Sequence, residues 1–251
     1  MVDERRRELA QRLVQDGKLV VKDLALQYDV TTETIRKDIT HLEKMGVAKK
    51  THGGAIYVND LRELPYSETS TLHRSQKAAI ARVAVSLIGR HVTMLDGGST
   101  NLAIAKLLSL RADITVVTNS LSIVPVLASA PGVTLVMTGG EVRQISQDLV
   151  GYWATRSVHE VASDVCFVGA NSIAQFSGPS TSTMQEVEIK RSMLEASRSR
   201  YLVVDSSKTG SLSTFQFAEW REFTAIITDS GIDSHFVDNV APYTKVLIAE
   251  D

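Results

Sequence analysis

Apolar residues follow two different spacings along the chain, and the change falls after Gly46. Before that glycine they recur every three to four residues, which is the period of an amphipathic helix. From residue 92 onward they form short, nearly continuous runs rich in β-branched residues, which is typical of strands buried on both faces of a sheet. The pattern therefore predicts a small helical domain followed by a larger α/β domain.

Three helical patterns precede Gly46. Two cover residues 3–15 and 21–28, and the third follows Thr31, whose hydroxyl is suited to an N-cap. From Ile35, apolar residues of the third helix recur at i, i+4 and i+7, while its opposite face carries cations and hydrogen-bonding groups. A short helix, a tight turn and a further helix form a helix-turn-helix, and such a polar face fits the DNA major groove.

Two short strands are predicted directly after this helix, at residues 47–51 and 55–58, with a glycine-rich turn between them. A basic hairpin in that position is a wing, which can reach phosphates or the minor groove. The candidate DNA-contacting residues are Thr31, Thr32, Thr34, Arg36, Lys37 and Thr40 on the helix, and Lys49, Lys50 and His52 on the hairpin.

Simpler roles compete with base contact at several of these positions. Charged helix faces are commonly just solvated, and Arg36 can bind a phosphate without reading sequence. Asp38 lies beside the apolar face, so we expect it to hold a neighbouring cation rather than read cytosine. We expect Thr31 to cap the helix rather than contact a base.

A polar stretch, residues 59–76, separates the two patterns. It contains Pro65 and a Ser/Thr cluster and has no strong period, so it predicts a linker, with a helix beginning at Gln76. The expected organisation is therefore a winged helix-turn-helix DNA-binding domain over residues 1–58, the linker 59–76, and an effector-binding domain over residues 77–251.

Seven apolar runs in the last part of the chain alternate with helical patterns, which predicts a mostly parallel sheet covered on both faces. The runs cover residues 92–95, 114–118, 133–138, 165–169, 201–205, 225–228 and 246–249. The helical patterns between them cover residues 102–110, 121–130, 155–160 and 186–197.

Six of these runs end in small or polar residues, and the carboxyl edge of an open α/β sheet is where ligands bind. Glycines there allow close backbone approach, and a following helix N-terminus offers free N–H groups to an anion. Such turns also need Gly and Asn for geometry alone, but six together favour a site. The candidate effector-binding residues are Asp96, Gly97, Gly98, Ser99, Thr100, Asn101, Thr118, Asn119, Gly139, Gly140, Gly169, Asn171, Glu188 and Lys208.

Several motifs in the same order resemble the DeoR family of bacterial transcriptional regulators over nearly the whole chain. They include Thr34-Ile35-Arg36-Lys37-Asp38, His52-Gly53-Gly54-Ala55, Lys77-x-x-Ile80-Ala81, Asp96-Gly97-Gly98-Ser99-Thr100, Glu188-x-Lys190 and Asp205-x-x-Lys208. The family usually has Arg at positions 37 and 50, where this chain has Lys. Because Lys lacks the bidentate geometry of Arg, Arg36 is the preferred candidate for a base contact.

The resemblance implies a sensor domain similar to ribose-5-phosphate isomerase, which binds a phosphorylated sugar or polyol. It also implies a homodimer or homotetramer that binds operator DNA and represses a carbohydrate-catabolism operon. The related enzymes raise one alternative, an aldose–ketose isomerase that uses Asp96, Glu186, Glu188 or Lys208. Fusion to a DNA-binding domain makes catalysis unnecessary, so we expect no catalytic residues.

Other function classes fit the sequence poorly. The chain has no P-loop and no G-x-G-x-x-G after a strand, and its six histidines are scattered, so we expect no cofactor and no metal. The net charge of −2 argues against indiscriminate coating of nucleic acid. The single cysteine, Cys166, lies in an apolar run and is expected to be buried and inert. Without a secretory or membrane-spanning pattern, the expected location is cytoplasmic.

Overall fold

The chain divides into two compact units, residues 1–62 and 63–251, in a computed structural model. The structure describes residues 5–6, 8–10, 12–13, 18–44, 48–51, 53–57, 65–89, 92–174, 178–210 and 213–250. Within these ranges, the side chains of Lys44, Lys49, Ile56 and Tyr57 are not described.

The first unit is a helix-turn-helix followed by a hairpin. Residues 5–6, 8–10 and 12–13 are helical, α1 covers Val21–Gln27, and α2 covers Thr32–Lys44. Strands β2 (Ala48–Thr51) and β3 (Gly54–Tyr57) form the hairpin. Apolar side chains from all three helical segments and the hairpin bury one another in the core, which contains Leu9, Leu13, Leu24, Ile35, Ile39, Leu42 and Ala55. These elements confirm the predicted winged helix-turn-helix.

One strand of this unit was not predicted. Strand β1 (Lys18–Val20) pairs antiparallel with β3, so the small sheet has the order β1-β3-β2. The strand runs into α1 without an intervening residue, so its apolar residues merge with the helical pattern. Its pairing fixes the hairpin to the helical part of the unit.

A seven-stranded parallel sheet forms the centre of the second unit, as the seven apolar runs predicted. Its order is β15-β14-β12-β9-β4-β5-β6. The strands are β4 (Val92–Leu95), β5 (Ile114–Thr118), β6 (Val133–Met137), β9 (Ser163–Val168), β12 (Ser197–Val203), β14 (Ala225–Asp229) and β15 (Lys245–Ala249).

Helices cover both faces of this sheet. The helices are α3 (Tyr66–Thr69), α4 (Arg74–Ser86), α5 (Ser99–Leu108), α6 (Val124–Leu127), α7 (Tyr152–His159), α8 (Met184–Glu195) and α9 (Ser234–Val240). One apolar cluster joins α4 and α5 to sheet residues such as Leu95 and Phe167, and the other joins α7, α8 and α9 to residues such as Met94 and Cys166. Adjacent strand residues thus point into opposite cores.

Shorter elements complete the unit. Strands β7 (Glu141–Arg143) and β8 (Asp148–Val150) form an antiparallel hairpin, and β10 (Ser172–Ala174), β11 (Gly178–Thr181) and β13 (Phe215–Gln216) form a small sheet. Single 3₁₀ turns cover Ser206–Lys208 and Trp220–Glu222. The sequence did not predict these strands, because each is too short to show an alternating pattern.

The described part of the predicted linker differs from the expectation. Residues 65–76 belong to the second unit, where they contain α3 and the start of α4, two residues earlier than predicted. The amide of Tyr66 donates a hydrogen bond to the carbonyl of Ile145, 2.8 Å away. A polar segment that lacks a period can still be held by backbone hydrogen bonds, which composition does not reveal.

The order of strands places a switch point beside β4. From β4 the chain continues outward through β5 and β6, and it then returns to β9 on the other side of β4 before continuing to β12. Loops that follow β4 and β9 therefore leave the sheet in opposite directions. In such sheets the resulting crevice, at the carboxyl ends of the strands, is the usual place for a ligand.

Cys166 is fully buried in the sheet, as predicted. Burial raises the pKa of its thiol to about 12, so the reactive thiolate form is scarce at neutral pH. Within the described ranges, no helix combines the length and apolar character needed to cross a membrane.

Candidate functional site

Helix α2 presents a polar outer face. Thr31 precedes the helix, and its hydroxyl accepts a hydrogen bond from the amide of Thr34 at 3.2 Å, which confirms its capping role. Arg36 and Lys37 are exposed, and the Arg36 guanidinium lies 3.7 Å from Glu33. This weak, solvated pair leaves Arg36 available to another anion.

The threonines of this face differ in how free their hydroxyls are. Thr32 is exposed, whereas Thr34 and Thr40 are half-buried. The hydroxyl of Thr40 donates to the carbonyl of Arg36 at 2.7 Å, one turn earlier in the same helix. That hydroxyl must give up an internal hydrogen bond if it is to donate to DNA.

Asp38 holds the first helix against α2. Its carboxylate is 2% exposed and accepts hydrogen bonds from Arg5 at 2.7 Å and from Arg6 at 2.9 Å. The structure therefore confirms that Asp38 binds neighbouring cations, and its burial takes it away from the groove-facing surface. Charge-assisted hydrogen bonds of this kind are among the stronger ones in proteins.

In the wing, Lys50 is paired within the unit. Its ammonium lies 3.2 Å from Glu43, and its backbone amide donates to the same carboxylate at 3.0 Å. The backbone hydrogen bond and then the side-chain hydrogen bond from Lys50 lower the pKa of Glu43. The Lys49 side chain and His52, both candidate contacts, lie outside the described residues.

At the switch point of the second unit, a buried ion pair joins the ends of β4 and β9. Asp96 follows β4, and its carboxylate accepts hydrogen bonds from the Gly169 amide at 3.0 Å and from the Lys190 ammonium at 2.5 Å. Lys190 also donates to the carbonyl of Gly169 at 3.1 Å. Burial lowers the pKa of Lys190, but the Asp96 and Glu186 carboxylates outweigh burial and the net pKa is raised.

The loop after Asp96 leads into the N-terminus of α5. Gly98 is its N-cap residue and has φ +98°, a conformation that L side chains rarely adopt. Nothing lies within 4 Å of where a Cβ at position 98 would stand, so this backbone faces open space. With Ser99 and Thr100 as the first helical residues, the N-terminal amides of α5 lie close in sequence to Asp96, in an arrangement that is chemically suited to an anion.

Asp148, at the start of β8, packs against this loop from below. A Cβ at Gly97 would lie 2.1 Å from the Asp148 carboxylate, so any larger residue there would have to displace that carboxylate. Burial and then the Asp96 carboxylate raise the pKa of Asp148 to about 7, against the lowering effects of Ser120 and Lys190. The predicted list omitted Asp148, because a carboxylate in a short unpredicted hairpin carries no sequence signal for burial.

Helix α8 places two nearby glutamates in different surroundings. Glu188 is exposed, whereas Glu186 is buried and accepts hydrogen bonds from Thr181 at 3.0 Å and Thr183 at 3.3 Å. Arg143 of β7 lies 3.7 Å from the Glu186 carboxylate. Residues two apart on a helix face different sides. The spacing Thr183-x-x-Glu186, that of a capping box, was a usable signal for the buried residue.

The other predicted residues form two groups. Asp96, Gly97, Asn101 and Gly169 come together: a Cβ at Gly169 would lie 3.6–3.9 Å from atoms of the other three. Asn101 donates to the Gly97 carbonyl at 3.2 Å and Asn119 donates to the Leu149 carbonyl at 3.2 Å, and the side-chain oxygen of each amide is buried without a partner among the described residues.

The second group serves the loops themselves. The hydroxyl of Thr118 accepts from the amide of Ser120 at 3.1 Å, and Asn171 donates to the hydroxyl of Ser182 at 2.6 Å. Gly139 and Gly140 are exposed and have positive φ angles, 70° and 123°. Lys208 is half-buried in a 3₁₀ turn, whose preceding residue Asp205 is buried.

Comparison with known proteins agrees with this division into two units. Residues 5–61 match the model of the DeoR-like helix-turn-helix domain, and residues 72–230 match that of the DeoR C-terminal sensor domain. The chain is similar to a putative aga operon transcriptional repressor of Escherichia coli O157:H7, with 34% identity over 98% of this chain and 94% of that protein.

Two further similarities are more distant. The HTH-type transcriptional regulator GolR of Listeria innocua shares 30% identity over 92% of this chain and 91% of its own length. Among solved structures, ribose 5-phosphate isomerase A of Methanocaldococcus jannaschii aligns with 53% of this chain and 53% of its own, with 17% identity and a TM-score of 0.39.

A winged helix-turn-helix joined in one chain to a parallel α/β unit with a crevice at its switch point defines a DNA-binding transcriptional regulator with a sensor domain. The two matching family models and the 34% identical relative identify its family. The chain belongs to the DeoR family of transcriptional regulators.

Proposed function

We propose that this protein represses a carbohydrate-catabolism operon and that a phosphorylated sugar or polyol, bound in the crevice beside Asp96, controls the repression. The observation that carries the proposal is the N-terminus of α5, whose Gly98 backbone faces open space and which follows the buried Asp96–Lys190 pair at the switch point. The relatives support repression, since one is named a repressor of the aga operon and another the transcriptional repressor AccR.

The crevice offers different groups to the two parts of such a ligand. The amides of Gly98–Thr100 and the hydroxyls of Ser99 and Thr100 suit a phosphate. The unpartnered side-chain oxygens of Asn101 and Asn119 suit sugar hydroxyls, because a hydroxyl supplies the donor that each oxygen lacks. Lys190, Glu186 and Asp148 hold the loops in place, and the exposed Glu188 stays a candidate contact of the ligand.

On DNA, we propose that Arg36 reads a base while Thr31, Thr32, Thr34, Lys37 and Thr40, with Lys49, Lys50 and His52 of the wing, contact the backbone. A homodimer or homotetramer would place two copies of α2 on half-sites one or more helical turns apart. The ligand would change DNA affinity only to the extent that it binds the two states of the oligomer differently.

The proposed role does not include turnover. The Asp96 carboxylate is hydrogen-bonded to Lys190 and to the Gly169 amide, and the Glu186 carboxylate to Thr181 and Thr183. These contacts favour a positioning role for both groups over removal of a proton. Incubation with sugar phosphates followed by product analysis should show no conversion. Turnover that Lys208→Ala abolishes would instead establish the isomerase alternative.

One pair of variants tests the ligand site. Ser99→Asp places a carboxylate at the first residue of α5, where it suits the helix dipole but repels a phosphate. Thermal-shift screening of pentose, hexose and polyol phosphates should show ligand stabilisation of the parent and of the control Ser99→Asn, and none of Ser99→Asp. If the ligand raised the melting temperature of all three proteins equally, the phosphate would not bind at the N-terminus of α5.

Operator binding tests the regulatory part of the proposal. DNA fragments selected from a random pool by the parent protein supply the operator, and fluorescence anisotropy gives its affinity with and without the ligand that produces the largest thermal shift. We expect the ligand to change operator affinity by about tenfold or more. Unchanged affinity at saturating ligand would rule out control by this route.

A further inference from the structure

Residues 65–72, which we call the strap, open the described part of the second unit. In sequence, residues 58–64 connect them to the wing of the DNA-binding unit. The strap comprises Pro65, the single-turn helix α3 and the turn that follows it. Both of its ends are attached to parts of the second unit that lie beside the crevice residues.

The first attachment is at Tyr66. Its amide donates to the carbonyl of Ile145, in the turn between β7 and β8, at 2.8 Å. Burial raises the pKa of the Tyr66 hydroxyl, and the Asp148 carboxylate adds to the rise. The hydroxyl oxygen itself is buried without a hydrogen-bond partner among the described residues. Tyr66 therefore lies within electrostatic reach of Asp148, the carboxylate that packs under the Gly97 loop.

A cavity of about 410 Å³ lies where the strap meets the hairpin turn. Its walls come from the strap, from the turn between β7 and β8, and from the residues around the start of α6. No side chain fills the space between the strap and these loops, so a shift of the strap there would not have to displace a packed core.

The second attachment is at Lys77, in the first turns of α4. Its ammonium donates to two strap carbonyls, those of Thr69 and Leu72, each at 2.7 Å, and the residue is only 5% exposed. A buried ammonium is costly unless it is hydrogen-bonded, so these two carbonyls replace the water that Lys77 loses. Its hydrogen bonds in turn fix the end of the strap.

The charges that act on Lys77 belong to the ligand-facing turn after β12. Burial lowers the pKa of Lys77, Asp205 opposes this, and Lys208 lowers the pKa further. Lys208 is one of the candidate effector-binding residues, so an anion bound there would change the charge that acts on Lys77.

We propose that the strap transmits ligand occupancy from the crevice toward the DNA-binding unit, with Lys77 and Tyr66 as positioning residues that an occupied crevice holds more tightly. This inference rests on the proposed function, because it concerns how ligand binding in the same crevice affects the DNA-binding unit. It predicts that the strap is more firmly held in the ligand-bound protein than in the free one.

Lys77→Met separates signalling from binding. It removes the ammonium that holds the strap carbonyls and keeps most of the side-chain volume, and the control Lys106→Met makes the same change at an exposed position. The experiment uses the full-length chain, the selected operator, and the sugar phosphate that gave the largest thermal shift. It measures ligand affinity without DNA, and operator affinity with and without ligand.

We expect Lys77→Met to bind the ligand within about threefold of the parent, while the ligand-induced change in operator affinity falls from about tenfold to less than about twofold. The control Lys106→Met should keep the parent's full change. If Lys77→Met keeps it as well, the strap does not transmit the signal. If the parent itself shows no change, the proposed function fails first and the inference falls with it.

Hydrogen exchange of the parent provides a measurement that does not depend on how well a variant folds. Saturating ligand should slow exchange of the amides in residues 66–72 by about tenfold or more, since the strap must open for its amides to exchange. Equal exchange with and without ligand, in a protein whose operator affinity does respond to ligand, would overturn the inference.

Discussion

On helix α2 of the DNA-binding unit, the Arg36 side chain is 61% exposed and lies 3.7 Å from Glu33, whereas in the second unit the Lys190 side chain is 8% exposed and lies 2.5 Å from Asp96. The first pair is solvated, so its partners exchange readily for other ions. The second is buried and fixes two loops. A surface that must bind and release DNA keeps its cations accessible, while a crevice that must recognise a small ligand needs charges that are already in place.

The difference between the two pairs should be largest in stability. Lys190→Met leaves the Asp96 carboxylate buried without its cation, which should lower the free energy of unfolding of the second unit by about 3–5 kcal/mol. Urea denaturation measures the loss, and Lys106→Met, at an exposed position, is the matched control. A loss below about 1 kcal/mol would show that the buried pair is solvated in the same way as the surface one.

The second largest effect expected is a pH dependence of the stability of the second unit, caused by Asp148. The folded pKa of Asp148, about 7, lies above its ordinary value of 3.8, so the folded state holds a proton that the unfolded state releases. The resulting stability is complete below about pH 4 and is lost as pH rises to about 7, with a total of at most about 4 kcal/mol.

The measurement is urea denaturation at several pH values for the parent and Asp148→Asn. The parent should lose stability relative to the variant as pH rises from about 5 to 7, and the difference should level off above that range. A constant difference between the two proteins across this range would show that Asp148 is ionised in the folded protein.

DNA affinity should respond to the exposed pair. If Arg36 contacts a guanine, Arg36→Ala should weaken operator binding by about 1–3 kcal/mol and relax the base preference at one position, with stability unchanged within about 0.5 kcal/mol. Lys37→Ala should weaken binding to operator and unrelated DNA alike. Competition binding on single-base operator variants measures both effects, and an Arg36→Ala loss that is the same on every sequence would make Arg36 a phosphate contact.

The smallest effect is expected in the wing. Glu43→Gln removes the carboxylate charge paired with Lys50 and should leave the midpoint of urea denaturation nearly unchanged, because both groups are solvated. Releasing Lys50 should strengthen nonspecific DNA binding slightly at low salt. Weaker binding in a salt titration of Glu43→Gln would show that the carboxylate positions Lys50 for DNA.

Periodicity was enough to predict the large elements. The seven strands of the central sheet and the third helix of the DNA-binding unit have strong, uninterrupted patterns, and the structure confirms each. The roles of Thr31 and Asp38 were also predictable, because a cap and a buried acid beside an apolar face follow from local spacing. Strands β1, β7 and β8 are three residues long, which is too short for a pattern to emerge.

The sequence by itself therefore determined the two-domain plan, the polar face of α2 and the collection of small and polar residues at strand ends, since each depends on local spacing. Only the tertiary structure decided which carboxylates are buried. It selected Glu186 over Glu188, brought Asp148 under Gly97 from a hairpin fifty residues away in sequence, and attached Lys77 to the strap. The physical reason is that the environment of a charge depends on chain segments that meet only after folding, and the spacing of residues within one segment does not record it.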